Sequence, residues 1–186
     1  MEWFPALRIG LANGWVPWVL LVLTEAILVL VSPSGVRRRL FDRSGWVSSQ
    51  KALTIAGKVL SLPLLALLVL TPLLLRGSAF WLGGLVYLLG LLMLVAAILE
   101  FRRTPLGEPV HTGIYRHSRH PQLVALATAF LGMCLMIGSW AALVLLTVSR
   151  VLEHWGVLAE EEACLKRYGD AYRAYMHEVP RYLGLR

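Results

Sequence analysis

Residues 123–152 read LVALATAFLGMCLMIGSWAALVLLTVSRVL, a run of thirty residues in which Arg150 is the one charged side chain. A single helix of this length would be roughly 45 Å long, whereas the hydrocarbon core of a bilayer is about 30 Å thick. Gly138 and Ser139 near the middle are typical of a tight turn, and Trp140 suits a membrane interface. The run is therefore either one tilted membrane span or a hairpin of two helices.

The positions of the basic residues favour the hairpin, because short cytoplasmic loops are enriched in lysine and arginine. With a hairpin, segments 32–52, 100–121 and 150–186 fall on one face of the membrane and hold 15 of the 18 basic residues. With a single span the tail would change sides and this asymmetry would be lost. We therefore expect the N-terminus outside the cell, and the C-terminus and the charged segments in the cytoplasm.

The composition is that of an integral membrane protein. The chain has 186 residues, of which 58% are hydrophobic and 16% are charged, and its mean hydropathy is +0.66. Three further apolar stretches, at 15–31, 53–75 and 80–99, are each near or above the roughly 20 residues that a helix needs to cross a bilayer. The sequence predicts an all-α transmembrane helix bundle of about five spans, with the last two forming the hairpin.

The length allows one compact bundle, so we expect a single membrane domain over residues 1–186. Residues 1–99 would hold three transmembrane helices, and residues 100–186 would hold a cytoplasmic loop, the hairpin and an amphipathic tail. The net charge of +7 is explained by basic residues at membrane boundaries, so we expect the lipid bilayer as a partner and no nucleic acid. Cys134 in an apolar run and Cys164 in the polar tail predict two unpaired thiols.

A polar cluster, GIYRHSRHPQLV at residues 113–124, precedes the hairpin. The prolines and glycines of segment 100–121 predict an ordered loop and not a continued helix. Pro121 suits the first turn of the next helix, whose N-terminus, beside Arg119 and His120, favours an anion. A simpler interpretation is that these residues only mark a membrane boundary.

Metal binding is not expected at this cluster. Three histidines lie in or just before the cluster: His111, His117 and His120. Their spacing matches neither the cysteine and histidine patterns of zinc sites nor the H-E-x-x-H helix.

The tail, EEEACLKRYGDAYRAYMHEVPRYL at residues 160–183, has apolar and tyrosine side chains on one helical face, with a possible break at Gly169. An anionic membrane surface would repel three consecutive glutamates, so we expect them to face a pocket. Glu162 and Lys166 also form a simple i,i+4 helix pair. Within the spans, Glu25 and Lys58 are candidates for function, or they pair with each other to orient the bundle.

The cluster, the hairpin and the tail together resemble the isoprenylcysteine carboxyl methyltransferase-like family of membrane methyltransferases, which includes phospholipid methyltransferase relatives. The family pattern is approximately G-x-Y-x-x-x-R-H-P-x-Y, a helical hairpin, and E-E-x-x-L-x-x-x-(F/Y)-G-x-x-Y-x-x-Y. The resemblance covers about residues 100–183. The matching residues are Gly113, Tyr115, Arg119, His120, Pro121, Glu160, Glu161, Tyr168, Gly169, Tyr172 and Tyr175. Where the family has a tyrosine two residues after the proline, this chain has Leu123.

The resemblance implies methyl transfer that depends on S-adenosylmethionine, with the cofactor in a cytoplasmic pocket closed by the loop and the tail. It implies a membrane-associated or lipophilic acceptor, a carboxylate, thiol or amine, that enters from the bilayer. It implies catalytic roles for Tyr115 and Arg119, and in this interpretation Arg119 helps to hold the methionine carboxylate. The residues implied to bind the cofactor are Gly113, His120, Pro121, Glu160, Glu161 and Tyr168.

Two other functions stay open. Membrane reductases of the sterol-reductase type share an R-H-P-x-Y stretch and bind NADPH, but a dinucleotide needs more basic residues around its 2′-phosphate than this cluster offers. A catalytically degenerate scaffold or lipid-binding protein is the other alternative, because Leu123 replaces the family tyrosine.

Overall fold

The computed structural model describes residues 1–42 and 46–184, and this part of the chain contains helices and no strands. The predicted all-α fold is therefore confirmed. Arg43 and Arg186, two of the basic residues predicted to be cytoplasmic, lie outside the described residues. The helices are α1 (Trp15–Leu30), α2 (Ser34–Phe41), α3 (Ser48–Leu70), α4 (Ser78–Arg103), a 3-10 helix (Gly113–Arg116), α5 (Pro121–Ile137), α6 (Trp140–Tyr168) and α7 (Asp170–Glu178).

Five of these helices are apolar along most of their length. Within the described residues, α3, α4 and α6 are long and apolar enough to cross a membrane, while α1 and α5 are shorter, with 16 and 17 residues. Their outward faces carry large exposed apolar side chains, which on α4 are Trp81, Leu82, Leu85, Leu88, Leu89 and Leu92. A continuous apolar surface of this kind suits lipid and not water. The chain is an integral membrane protein.

The run at 123–152 folds as the predicted hairpin. Helix α5 ends at Ile137, Gly138 adopts a left-handed conformation with φ of 65°, and Ser139 caps α6 by accepting a hydrogen bond from the backbone N–H of Ala142. Helix α6 then continues for 29 residues to Tyr168, well beyond the apolar run. The first part of the charged tail is therefore a direct extension of a membrane helix.

The most extensive helix contact in the bundle is between α4 and α5. It depends on small residues, because a Cβ atom added to Gly90 of α4 would lie 2.4 Å from the backbone nitrogen of Ala129. A Cβ atom on Gly132 of α5 would likewise lie 2.4 Å from the backbone nitrogen of Tyr87. Close approach of two backbones through small residues is how helices associate in lipid. The pair α3 and α6 forms the second large contact.

The two ends of the bundle differ in character. At one end the N-terminal segment covers the hairpin turn, where the backbone of Glu2 bonds to Gly138 and Trp140 over 2.8 Å. At the opposite end the three charged segments meet; for example, the amide of Gln50 donates to Glu162 over 3.0 Å. This end is called the charged end below. The cytoplasmic location of the charged end stays a prediction.

The structure differs from the sequence predictions by one additional helix and two helix boundaries. Helix α2 lies within the charged segment 32–52, where no helix was predicted. Helix α4 continues to Arg103, so the first residues of the predicted loop at 100–121 are helical. Helix α3 ends at Leu70 and not near 75, because Pro72 disfavours the helical conformation of the residue before it.

Candidate active site

A cavity of about 600 Å³ lies at the charged end, between α3, α5 and α6 and beneath α7. This volume is in the range of pockets that hold small molecules. Two of the eight residues predicted to form the site, Gly113 and Glu161, do not line the cavity. The other six line it: Tyr115, Arg119, His120, Pro121, Glu160 and Tyr168.

The start of α5 is tied to the C-terminal segment. Pro121 is the first helical residue, a position that needs no backbone N–H donor. The backbone N–H of Arg119 donates to the carbonyl oxygen of Pro180 over 3.0 Å. The hydroxyl of Ser118 donates to the carbonyl oxygen of Arg181 over 2.9 Å and accepts from the backbone of His120 over 3.1 Å. These bonds place the polar cluster and the tail against each other.

Glu161 is the centre of a buried ion cluster behind the cavity. Its carboxylate bonds to Arg119 over 2.8 and 2.9 Å and to Arg181 over 2.7 to 3.1 Å, and its side chain is 5% exposed. The remaining nitrogen of the Arg119 guanidinium donates to the carbonyl oxygens of Met176 and Val179 over 2.9 and 2.8 Å. Every nitrogen of this guanidinium is therefore engaged within the protein. Arg119 therefore joins α5, α6 and α7, and it also lines the cavity.

His120 connects the buried cluster with the cavity. Its ring nitrogens lie 3.5 Å from a carboxylate oxygen of Glu160 and 3.3 Å from one of Glu161. Burial lowers the pKa of His120, but hydrogen bonds and charge from the two glutamates raise it more, so the net shift of the pKa is upward. The carboxylate of Glu160 is 54% exposed, whereas that of Glu161 is buried. Adjacent glutamates on α6 therefore have different environments.

Tyr115 presents a protonated hydroxyl to the cavity. The hydroxyl oxygen accepts a hydrogen bond from the side-chain amide of Gln122 over 3.0 Å, and burial raises the pKa of Tyr115. Its backbone carbonyl oxygen accepts from the hydroxyl of Tyr175 over 2.7 Å. Because Gln122 is the donor in this bond, the hydrogen of the Tyr115 hydroxyl can be donated to a ligand.

Gly113 is the first residue of the 3-10 helix and has a structural role there. Its φ is 57°, and a Cβ atom there would lie 2.9 Å from a carboxylate oxygen of Glu100. That carboxylate accepts a hydrogen bond from the hydroxyl of Thr112. A side chain at Gly113 would be strained and would collide with Glu100, so glycine fixes the turn that presents Tyr115.

Two arginines of this region were not predicted to belong to the site. Arg181 binds Glu161, and Arg39 of α2 lines the cavity with its guanidinium 5.6 Å from the centre of the Tyr168 ring. Arg39 also donates to the carbonyl oxygens of Pro105 and Glu108 over 3.0 and 2.6 Å. No local pattern signals either contact, because each joins segments that are distant in sequence.

Glu25 and Lys58 are ionisable residues that the sequence places within membrane spans. Lys58 lines the cavity, and within the described residues no ion pair joins it to Glu25, so the pairing suggested by the sequence is not formed. Among the same residues, no group of three or more histidine, cysteine, aspartate or glutamate side chains is arranged to hold a metal ion. Cys134 and Cys164 are free thiols.

One comparison with known proteins gives a match. A family model described as phospholipid methyltransferase matches residues 78–171, about half of the chain. This range runs from the start of α4 to the start of α7 and contains Tyr115, Arg119, His120 and both glutamates of the site. Comparisons with curated proteins and with solved structures give no match.

Proposed function

The chain belongs to the phospholipid methyltransferase family, and from that premise we propose that it transfers a methyl group from S-adenosylmethionine to a lipophilic acceptor in the cavity at the charged end. The observation that carries the proposal is the cavity itself. It combines a half-exposed carboxylate, a protonated tyrosine and a helix N-terminus with apolar walls from membrane helices. We also propose that this end faces the cytoplasm, where soluble cofactors are available.

The residues of the cavity fit the chemical groups of this cofactor. Glu160 has the exposure to accept hydrogen bonds from ribose hydroxyls or from the methionine amine. The N-terminus of α5, beside a His120 whose pKa is raised, favours the methionine carboxylate. The ring of Tyr168 lines the same space and suits a cationic sulfonium.

Glu161 and Arg119 have a positioning role in this proposal. Because Glu161 is buried and bonded to two arginines, it fixes His120 and the tail and does not itself contact the cofactor. Arg119 holds Glu161 and the end of α7 in place. This assignment differs from the expectation that Arg119 binds the methionine carboxylate, because each of its three guanidinium nitrogens already contacts a protein oxygen.

The reaction requires alignment and exclusion of water more than covalent help from the protein. The cofactor, held by Glu160, Tyr168 and the N-terminus of α5, would supply an electrophilic methyl group on a sulfonium to a lone pair of the acceptor and would leave as S-adenosylhomocysteine. An amine acceptor also loses a proton, whereas a carboxylate or thiolate does not need a base. Leu123 and Leu126 of α5 give the cavity an apolar wall that limits water.

Titration calorimetry of the detergent-purified protein with S-adenosylhomocysteine, and separately with NADPH, tests the proposal. We expect saturable binding of S-adenosylhomocysteine and none of NADPH. Binding of NADPH alone would favour a reductase, and binding of neither would favour a scaffold or lipid-binding protein.

Glu160 and Glu162 provide a matched pair of variants for this titration. Both side chains are exposed near the end of α6, but Glu160 lines the cavity whereas Glu162 bonds to Lys166 and Gln50. Glu160→Gln should weaken binding of S-adenosylhomocysteine about tenfold or more, because a hydrogen bond to a charged acceptor is lost. Glu162→Gln should not change it, and equal affinities in the two variants would remove Glu160 from the site.

A further inference from the structure

The N-terminal segment, residues 1–14, lies at the end of the bundle opposite the charged end and exposes a large apolar surface. Ile9 and Leu11 are 95% and 90% exposed, more than any large apolar side chain of the lipid-facing helix α4. The other large apolar side chains exposed in this segment are Met1, Trp3, Phe4 and Leu7. An apolar surface of this kind is unusual in water and indicates contact with a partner or a membrane.

The N-terminal segment is bonded to the bundle through its backbone. The N–H of Glu2 donates to the carbonyl oxygen of Gly138 over 2.8 Å, and the N–H of Trp140 donates to the carbonyl oxygen of Glu2 over 2.8 Å. The N–H of Arg8 donates to the carbonyl oxygen of Leu70 over 2.9 Å. The apolar side chains are therefore exposed from a fixed backbone that covers the hairpin turn and the end of α3.

Two helices of the bundle are short for a membrane. Helix α5 has 17 residues and α1 has 16, so each is roughly 25 Å long, whereas the hydrocarbon core is about 30 Å thick. With Pro121 at the membrane boundary of the charged end, the turn at Gly138 lies within the hydrocarbon depth. Non-helical backbone is tolerated at that depth only where protein or a water-filled cavity covers it. The backbone bonds of Glu2 provide this cover, so the N-terminal segment fills the space between the turn and the far boundary.

Tryptophan side chains mark the same end of the bundle. Five of the seven tryptophans lie in the N-terminal segment or in the first four residues of α1, α4 and α6: Trp3, Trp15, Trp18, Trp81 and Trp140. Tryptophan is enriched where lipid meets water. The exposed surface of the N-terminal segment therefore continues the lipid-facing surface of the helices at its boundary.

We propose that the N-terminal segment lies in the plane of the membrane interface, with Ile9 and Leu11 in the hydrocarbon of the leaflet opposite the charged end. Lipid is the partner, because the exposed side chains are mostly apolar and the surface is continuous with that of the membrane helices. The two charged side chains of the segment, Glu2 and Arg8, line a cavity of about 240 Å³, which has room for the water that solvates them. The segment thereby anchors the bundle and seals the hairpin turn within the bilayer.

Electron paramagnetic resonance of single nitroxide labels, in phosphatidylcholine vesicles, tests the location of the segment. The labels are attached to Ile9→Cys and Leu11→Cys, and the collision rate of each is measured with oxygen, which concentrates in hydrocarbon, and with a water-soluble nickel complex. Leu85→Cys on the exposed face of α4 is the reference for lipid, and Glu178→Cys on α7 is the reference for water. Cys164→Ala in each variant removes the partly exposed native thiol, and the other native thiol is buried.

We expect the labels at positions 9 and 11 to resemble the label at position 85, with frequent oxygen collisions and few nickel collisions, while the label at position 178 shows the reverse. Frequent nickel collisions at positions 9 and 11 would place the segment in water and overturn the proposal. Few collisions with both reagents would overturn it in favour of a protein partner, such as a second copy of the chain. Because the measurement needs neither cofactor nor acceptor, its outcome is independent of the proposed function.

Discussion

The contact between α4 and α5 and the ion cluster around Glu161 both join helices through buried groups, but they use opposite means. Between α4 and α5, Gly90 and Gly132 bring backbone against backbone without a charged side chain. At the charged end, Glu161 is surrounded by Arg119 and Arg181, and three segments meet at its carboxylate. The first contact depends on the absence of side-chain volume, and the second depends on complete pairing of charge.

The difference follows from the surroundings of each contact. Lipid provides no hydrophobic drive for helices to associate, so close packing of small residues stabilises the membrane part. At the charged end, a buried carboxylate is tolerated only when its oxygens are fully bonded. Adding side-chain volume should therefore weaken the contact between α4 and α5, and removing a charge should weaken the ion cluster around Glu161.

Removing the carboxylate of Glu161 should have the largest effect on stability. Glu161→Ala leaves Arg119 and Arg181 without their shared anion, and loss of one partner of a buried pair costs about 3–5 kcal/mol in the free energy of unfolding. Thermal unfolding in detergent, followed by circular dichroism, measures the change. Glu162→Ala on the same helix removes an exposed carboxylate and should leave the unfolding temperature unchanged; similar losses in both variants would contradict the special role of Glu161.

A side chain added between α4 and α5 should have the next largest effect. Gly90→Leu places its Cβ atom 2.4 Å from the backbone of Ala129 and forces the helices apart, whereas nothing lies within 4 Å of a Cβ atom at Gly84. Overpacking costs about 1–3 kcal/mol. We expect Gly90→Leu to lower the unfolding temperature, and Gly84→Leu on the same helix to have little effect. Equal unfolding temperatures for the two variants would mean that the contact between α4 and α5 tolerates the added side chain.

The local features of the fold could be predicted from the sequence. The hairpin turn at Gly138, the first helical residue at Pro121 and the break at Gly169 each depend on the conformational preferences of one or two residues, and the structure confirms all three. Helix α2 was missed, because its eight residues carry three arginines in a charged segment and lack the apolar period of a membrane helix.

The candidate site was predictable only in part. Patterns near the hairpin identified six residues that line the cavity, but Arg39, Arg181 and Lys58 reach the site through tertiary contacts. The sequence does not distinguish Glu160 from Glu161, but in the structure the side chain of Glu161 is buried whereas that of Glu160 is exposed. Which of them lines the cavity depends on how α6 is rotated against α5, and the sequence of α6 alone does not determine that rotation.

His120, which links the buried cluster with the cavity, should show the smallest effect, because Arg119 and Arg181 keep Glu161 paired without it. Its folded-state pKa is raised by Glu160 and Glu161, so its ion pairs stabilise the protein fully below the usual histidine pKa of about 6.5. This stabilisation is lost as pH rises through the raised pKa. The difference in unfolding temperature between the unchanged protein and His120→Gln should therefore be largest near pH 6 and should shrink toward alkaline pH.

The exposed His177 of α7 provides the control for this pH series. His177→Gln should follow the unchanged protein at every pH, because its side chain is exposed and, within the described residues, forms no ion pair with either glutamate. A difference for His120→Gln that grows with rising pH would mean that the neutral ring is the stabilising form. In that case the glutamates would not hold His120 as a cation, and the N-terminus of α5 would have to attract an anion through its backbone N–H groups alone.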